Sequence, residues 1–326
     1  MYFNNKNLLP HGIMLHHFHD NKKHKVEQGS ISKAQLKKVI NFIGRKNIIN
    51  AEEFLIKFKE KKLTNKDVVL TMDDCRKSQF DIALEVLEEQ KIKCFLFIYS
   101  SLLTNKPDML EVYRDFRINY FDNVNLFYRT FYNFLESDIE FFFKKKKNLI
   151  KKIKKKYKFY SIEDIKFRLI RDNYLKRKKY DEIMYEMMEE RNFDYNRKVK
   201  DLVMNKREIL KFKALGHTIG LHSHTHPTNI NNLNHKQQFY EYRTNKNIFT
   251  KKLNINSDKI QCMSHPNGRY SSKTFRVLSK LKIILGFAAN FEKFQKREKF
   301  LRTKFYKEYQ FKIPREDVVN VIKRIK

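Results

Sequence analysis

Along the chain, short runs of consecutive apolar residues alternate with stretches in which apolar positions recur every three or four residues. Residues 12–18 read as a short buried strand. A polar stretch over 19–30 follows, then a helical pattern from about Ser32 with Leu36, Val39, Ile40 and Ile43 on one face. Val68, Val69, Leu70 and Met72 make the next apolar run, which ends in Asp73 and Asp74. A helix is expected over 81–90 and a second buried strand over 94–99. Strand, helix and strand in this order call for a parallel sheet, because parallel neighbours need a crossover connection.

Residues from about 102 to 207 behave differently. They are charged and aromatic-rich with few turn residues, and Phe, Tyr, Leu or Ile recur every three to four positions, as in a helical insertion. The alternation resumes over 209–215 and turns at Gly216. It continues as a short strand over 218–221, a helix over about 234–253, and further segments over 260–264, 272–281 and 283–289. The pattern predicts a single α/β domain of barrel type over residues 1–326, interrupted by a helical insertion at about 102–207. In such folds the chemistry gathers at the C-terminal ends of the strands.

Composition narrows the class. At 41% hydrophobic and 14% aromatic the chain holds core material that basic disordered tails lack, and seven Gly and five Pro exclude collagenous and linker-rich chains. Cys75, Cys94 and Cys262 are odd in number and far apart, so neither a disulfide framework nor a paired-cysteine zinc ribbon is expected. The N-terminus lacks an uninterrupted apolar segment with a small-residue cleavage site. The longest apolar run, 94–103, is too short for a bilayer, which needs ~18 residues or more. A cytoplasmic protein is expected.

The formal net charge is +33. An excess of that size points to nucleic acid, an anionic membrane surface or acidic substrates. Abundant Lys, Asn, Ile, Phe and Tyr beside scarce Gly, Pro, Trp and Ala is equally the pattern of an AT-rich genome. The densest stretch, 144–160, reads KKKKNLIKKIKKKYKFY, with Leu149, Ile150, Ile153 and Tyr157 at helical spacing among lysines. It is a basic amphipathic helix, suited to anionic lipid or a phosphorylated substrate, or else the solvated outer face of a packed helix. No nucleic-acid motif accompanies it, so nucleic acid is not an expected partner.

Three segments carry candidate chemistry. Asp73 and Asp74 close the strand VVLTMDD, and since consecutive strand side chains point to opposite faces, both reach one site only at its terminus. Two adjacent carboxylates repel. Their coexistence suits a metal ligand beside a general base, or else a solvated pair in a turn. The second segment, GHTIGLHSHTHP, places His217, His222, His224 and His226 within ten positions. His222 and His226 stand four apart and converge if the backbone between them turns helically; two imidazoles with one carboxylate leave open positions on a metal. A chance His-rich loop is the alternative. In the third segment, MSHPNGRYS, Pro266, Asn267 and Gly268 make a tight turn directly after the strand over 260–264. At the same end of the sheet, its N–H groups would serve a developing oxyanion.

In this order the three segments resemble the motifs of the polysaccharide deacetylase family, the NodB-homology domain. TMDDC at 71–75 resembles a Thr/Ser-Phe-Asp-Asp-Gly motif. HSHTH at 222–226, with Pro227, matches a His-Ser/Thr-x-x-His pattern, and SHPNG at 264–268 resembles an aromatic-Pro-aromatic-Gly turn that lines the groove. IMLHHFH resembles the strand ending in Tyr-His that opens many relatives. The resemblance covers roughly 10–100 and 205–325. It implies a distorted (β/α) barrel with one divalent metal, usually zinc, that hydrolyses N- or O-acetyl groups on a sugar. On this reading Asp73 is the general base on the metal-bound water, Asp74, His222 and His226 are the metal ligands, and Pro266, Asn267 and Gly268 line the substrate groove. The expected substrate is an acetylated amino sugar or surface-polysaccharide precursor, lipid- or nucleotide-linked, met in the cytoplasm or peripherally at the inner membrane face.

The sequence also departs from that pattern. Cys75 stands where the family has Gly, and Met72 where it has Phe. No histidine follows His265, so the late Leu-x-His motif that supplies the general acid has no counterpart. Ser264 stands where many relatives place an arginine that tethers the base. A branch of the family acting on surface polysaccharide shares these losses. Protonation of the leaving amine then falls to His265, His17, His224 or water, with His17 and His265 preferred because both sit at strand ends expected to face the groove; a packed structural histidine is the alternative for each. The leading hypothesis is a metal-dependent carbohydrate deacetylase. The rival is a catalytically weak deacetylase fold that binds anionic membrane or nucleic acid through its basic helices.

Overall fold

The computed structural model of the protein describes residues 2–3, 9–135, 138–156, 160–289 and 302–325; of the basic run, residues 157–159, with Tyr157, lie outside them. Seven strands build one sheet: β1 (His11–Leu15), β2 (Val68–Asp73), β3 (Phe95–Ile98), β4 (Thr218–Leu221), β5 (Cys262–Ser264), β6 (Leu285–Phe287) and β7 (Arg315–Asp317). Their order is β6-β5-β4-β3-β2-β1-β7, parallel throughout. A parallel bridge between Phe287 and Ile313 joins the chain just ahead of β7 to β6. The sheet thus nearly closes on itself as a (β/α) barrel.

Helices α1 (Lys33–Ile43), α2 (Ala51–Lys59) and α3 (Leu84–Glu89) precede a block of six: α4 (Leu110–Asn119), α5 (Val124–Asn133), α6 (Ile139–Lys156), α7 (Ile162–Leu169), α8 (Arg177–Glu190) and α9 (Tyr195–Leu202). After them come α10 (Lys206–Ala214), α11 (His235–Leu253), α12 (Ser272–Lys280), α13 (Arg302–Tyr309) and α14 (Val318–Ile322). Reciprocal capping boxes, Ser32 with Gln35, Asn205 with Glu208 and Asn234 with Gln237, fix where α1, α10 and α11 begin. The chain divides into two compact units, residues 1–108 with 200–326, and residues 109–199. The second unit is helical, cored by Phe116, Phe127, Phe131 and Phe167 with Met184 and Met187.

Two differences from the sequence reading bear on the site. The first strand stops at Leu15, short of the expected Phe18. His16 and His17 leave the sheet, and Phe18–His19 pairs with Ile31–Ser32 instead. The other difference is β7, Arg-Glu-Asp, a strand without an apolar residue that gives no periodic signal.

Alternation along the strands sorts the core. Val68, Leu70, Met72, Leu96, Ile98 and Met263 pack outward against the flanking helices. Val69, Phe95, Phe97, Cys262, Leu285 and Phe287 point inward and are closed over by Phe54 and Phe58 of α2. Phe95, Phe97 and Phe287 lie within 5.6 Å of one another, centroid to centroid, an aromatic floor that excludes water. Gly220 sits on the inner face where a Cβ would come within 2.5 Å of Phe97.

Candidate active site

Asp73 shares the inward phase of Val69 and Thr71, so β2 delivers its carboxylate to the C-terminal mouth of the barrel. Asp74 and Cys75 then take left-handed backbone conformations, φ 73° and 58°. This turn brings the Asp74 carboxylate to the same side as that of Asp73, which a continuing strand would forbid. Each left-handed non-glycine residue costs about 1–2 kcal/mol. At Cys75, where the resembled motif has glycine, the turn is built with a buried thiol and fastened by the Met204 N–H on the Cys75 carbonyl at 2.9 Å.

Asp74, His222 and His226 converge. The Asp74 Oδ1 atom lies 3.3 Å from His222 Nε2 and 3.4 Å from His226 Nε2, and the two imidazole nitrogens are 3.1 Å apart. All three residues are buried, and Asp74 Oδ1 receives no hydrogen bond. His222 Nδ1 faces the Ser264 carbonyl at 2.9 Å, which fixes the proton on Nδ1 and leaves the Nε2 lone pair aimed at the cluster. Two facing imidazole nitrogens and an orphaned buried carboxylate oxygen need either a shared proton or a cation between them. Ligands about 2.1 Å from one shared cation stand ~3.0–3.4 Å apart, so the set fits a divalent metal with open positions remaining. Burial works against the charge of Asp74, but His222, His226 and His16 outweigh it and hold its carboxyl well below the usual range. Burial and the neighbouring His222 push His226 down to about 4.

Asp73 is held by Arg315, whose side chain is almost wholly buried. Nη1 donates to Asp73 Oδ1 at 2.7 Å and to Thr71 Oγ1 at 3.2 Å. Nη2 donates to Asp73 Oδ2 at 2.8 Å and to Ser264 Oγ at 2.7 Å, and Nε donates to the Ala288 carbonyl at 3.2 Å. All five donors of the guanidinium therefore find acceptors. The group lies about 6 Å from the centroids of Phe97 and Phe287. Its path depends on Gly12, where a Cβ would approach Arg315 Cγ to 2.9 Å. Burial alone would raise the Asp73 pKa, yet Arg315, His222 and His16 more than offset this and hold it below the ordinary carboxylate value. The missing arginine of the third motif is thus supplied from β7, with Ser264 bridging. No local pattern signals it, because 242 residues separate the partners.

The loop carrying His222 and His226 is strained and braced. Ser223 and His226 are left-handed, φ 66° and 49°. Glu241 of α11 accepts from the His224 and Thr225 N–H groups and from the Thr225 hydroxyl at 2.7–2.9 Å. Asn245, one turn on, accepts from the His222 N–H at 2.9 Å and donates to the Ile98 carbonyl at 3.1 Å.

The remaining expected residues are spread out. His265 is fully buried; its Nε2 donates to the Phe311 carbonyl at 2.7 Å, its ring packs on Tyr270, and burial lowers its pKa to about 4. His17 turns to Glu27 at 3.8 Å, and His224 Nδ1 meets Ser100 Oγ at 3.0 Å. His16, overlooked in the sequence, places Nε2 3.8 Å from Asp73 Oδ2 and 4.0 Å from Asp74 Oδ2, and stays 27% exposed. Strand phase is the signal that finds it: Gly12, Met14 and His16 share the inward parity, while Ile13, Leu15 and His17 do not. Pro266–Gly268 forms a tight turn with Asn267 and Gly268 left-handed, and Gly268 and Arg269 donate back into it.

The family model described as polysaccharide deacetylase matches residues 175–285, which hold the second and third motifs. Two solved structures share the fold over 97% of this chain at a TM-score of 0.53 and 12% identity. One is the Streptococcus pyogenes deacetylase PplD in complex with acetate, of which 97% is covered; the other is a de-N-acetylase from Aggregatibacter actinomycetemcomitans, of which 99% is covered. No curated protein sequence matches the chain. Among the described residues, no helix is long and apolar enough to cross a membrane.

Proposed function

We propose that this protein is a metal-dependent hydrolase that removes the acetyl group from an amino sugar of a surface polysaccharide or its precursor. The observation that carries this reading is the convergence of Asp74, His222 and His226 beside an Asp73 whose charge is fixed by Arg315. The family match over 175–285 supports it. Asp74, His222 and His226 would hold one divalent cation, zinc by the chemistry of the donor set. When bound, that cation polarises the acetyl carbonyl and makes water a stronger acid.

Asp73 is ionised at neutral pH and rigidly aimed, so it serves as the base that takes a proton from the attacking water. The new bond joins the water oxygen to the acetyl carbon, and the bond from that carbon to the sugar nitrogen breaks. The departing amine needs a proton, and His16 is a partly exposed imidazole near both carboxylates, so it takes the role of acid. The Asn267 N–H, on the turn that ends the third motif, is assigned to the oxyanion. The aromatic floor beneath Arg315 keeps bulk water from screening these charges. A guanidinium with every donor satisfied argues against the rival reading of a decayed fold.

The test is elemental analysis of purified protein and acetate release from N-acetylated oligosaccharides by wild type, Asp73→Asn and His16→Gln. The expected result is about one divalent ion per chain. Asp73→Asn should lose ~10²-fold or more in rate, and His16→Gln should lose rate without losing metal. Metal-free wild type that refuses added zinc, together with no acetate release, overturns the reading.

A further inference from the structure

We propose that α6 is an electrostatic docking face for an anionic lipid surface. The inference concerns the 109–199 unit alone and is independent of the chemistry assigned above. In its 18 residues, α6 carries nine lysines against one carboxylate, Glu140. Its packed side is anchored by Phe143, which is buried, and by Phe142 against Tyr174. Lys144, Lys145, Lys147, Lys151, Lys152 and Lys155 are exposed on the remaining face.

The density of this helix sets it apart, since half of its 18 residues are lysine while Lys and Arg together number 70 in the 326-residue chain. Elsewhere several surface lysines find carboxylates: Lys33 with Glu85, Lys37 with Glu89, Lys57 with Asp67, Lys93 with Glu88 and Lys166 with Glu163. Among the described residues, those six α6 lysines form no ion pair; Lys145 meets only the Phe141 ring, at 4.1 Å. Lys147, Lys151 and Lys155 follow one another at i, i+4 spacing, which destabilises a helix through like-charge repulsion. A dense negative surface relieves that repulsion.

The same face decides the kind of surface. Phe141 is 59% and Leu149 38% exposed, and Ile162, opening the next helix, is 52% exposed. Phe141, Lys145 and Lys152 align at i, i+4 and i+11, with Leu149 flanking. Apolar tips among lysines on one helix face suit the boundary between lipid headgroups and acyl chains, where the tips insert and the ammonium groups meet phosphate. Nucleic acid would use the lysines but leave the apolar tips in water.

The experiment is co-sedimentation of the full chain with vesicles of phosphatidylcholine alone and of phosphatidylcholine with 30% phosphatidylglycerol, at low and high salt. Two variants accompany the wild type: Lys144→Gln/Lys145→Gln/Lys151→Gln/Lys152→Gln and Phe141→Ser/Leu149→Ser. Glutamine keeps helix propensity and removes repulsion, so the first variant retains its thermal midpoint. Each lysine at an anionic surface is worth about fivefold in binding, so the quadruple variant is expected to bind ~600-fold more weakly, and the apolar variant several-fold more weakly. High salt should weaken wild-type binding at least ~10-fold. Equal binding to neutral vesicles, an unaffected quadruple variant, or binding of a 20-nucleotide RNA without binding of anionic vesicles overturns the proposal.

Discussion

Replacing Arg315 by methionine removes a buried charge while keeping most of the side-chain volume, and its cost follows from the contacts. The guanidinium neutralises Asp73, itself only 2% exposed, through two charge-assisted hydrogen bonds, and donates three more to Thr71, Ser264 and Ala288. Removing one partner of such a pair strands the other charge in the aromatic interior, a loss of about 3–5 kcal/mol. The unit that contains the barrel has 235 residues (108 from 1–108 and 127 from 200–326), so a loss of about 4 kcal/mol should lower its thermal midpoint by ~10 °C. Adding Asp73→Asn removes the stranded charge. The double variant should therefore recover to within about 1.5 kcal/mol of wild type, a coupling energy above ~2 kcal/mol. Arg315→Lys should fall between, because an ammonium cannot span both carboxylate oxygens and the three further acceptors. Urea denaturation of the four proteins of the cycle, in chelator to exclude any cation, measures all of this. If the two single changes add without coupling, or Arg315→Met costs less than ~1 kcal/mol, the pair does not do what the geometry assigns to it.

Glu241→Ala should release the loop of His222 and His226 without touching the cluster itself. Cobalt titration followed by its visible spectrum should show at least ~10-fold weaker binding, and retention of wild-type affinity would show that the brace is dispensable. Stability should also depend on acid through His11 and His217, both buried and both lowered from 6.5 to about 4 by desolvation. Since the unfolded chain takes up these protons first, stability is full above pH 6.5, declines as pH falls toward 4, and levels off below. Each group contributes up to about 1.4 kcal/mol per pH unit in that window. Urea midpoints at pH 7 and 5 check this, and His217→Gln should flatten the slope; equal midpoints would rule the account out.

Much of the barrel was legible because its strands are apolar on both faces and its helices on one. The Asp pair and the HSHTH segment were legible because carboxylate and imidazole at such spacing have few other uses. What the sequence concealed was polar and non-local. Arg315 sits in a strand made wholly of charged residues, and it reads as surface until Asp73 is known to face it. His16 was hidden by its neighbour, since two adjacent histidines differ only in strand phase, and the strand ends between Leu15 and both of them. His265 misled for the converse reason: a histidine after a strand suggests a groove, but the Phe311 carbonyl and the Tyr270 ring claim it for the core.

The strand that closes the barrel meets the opposite edge, β6, only through the chain just ahead of it. β7 meets β1 over three residues, and a single bridge ties the chain ahead of it to β6. Breathing of a barrel begins at such a seam. Here, however, the strand cannot lift without withdrawing Arg315 and leaving Asp73 charged among phenylalanine rings. The counter-ion of Asp73 therefore acts as a latch: the seam is fastened by a buried ion pair, and the barrel can open there only by parting Asp73 from Arg315.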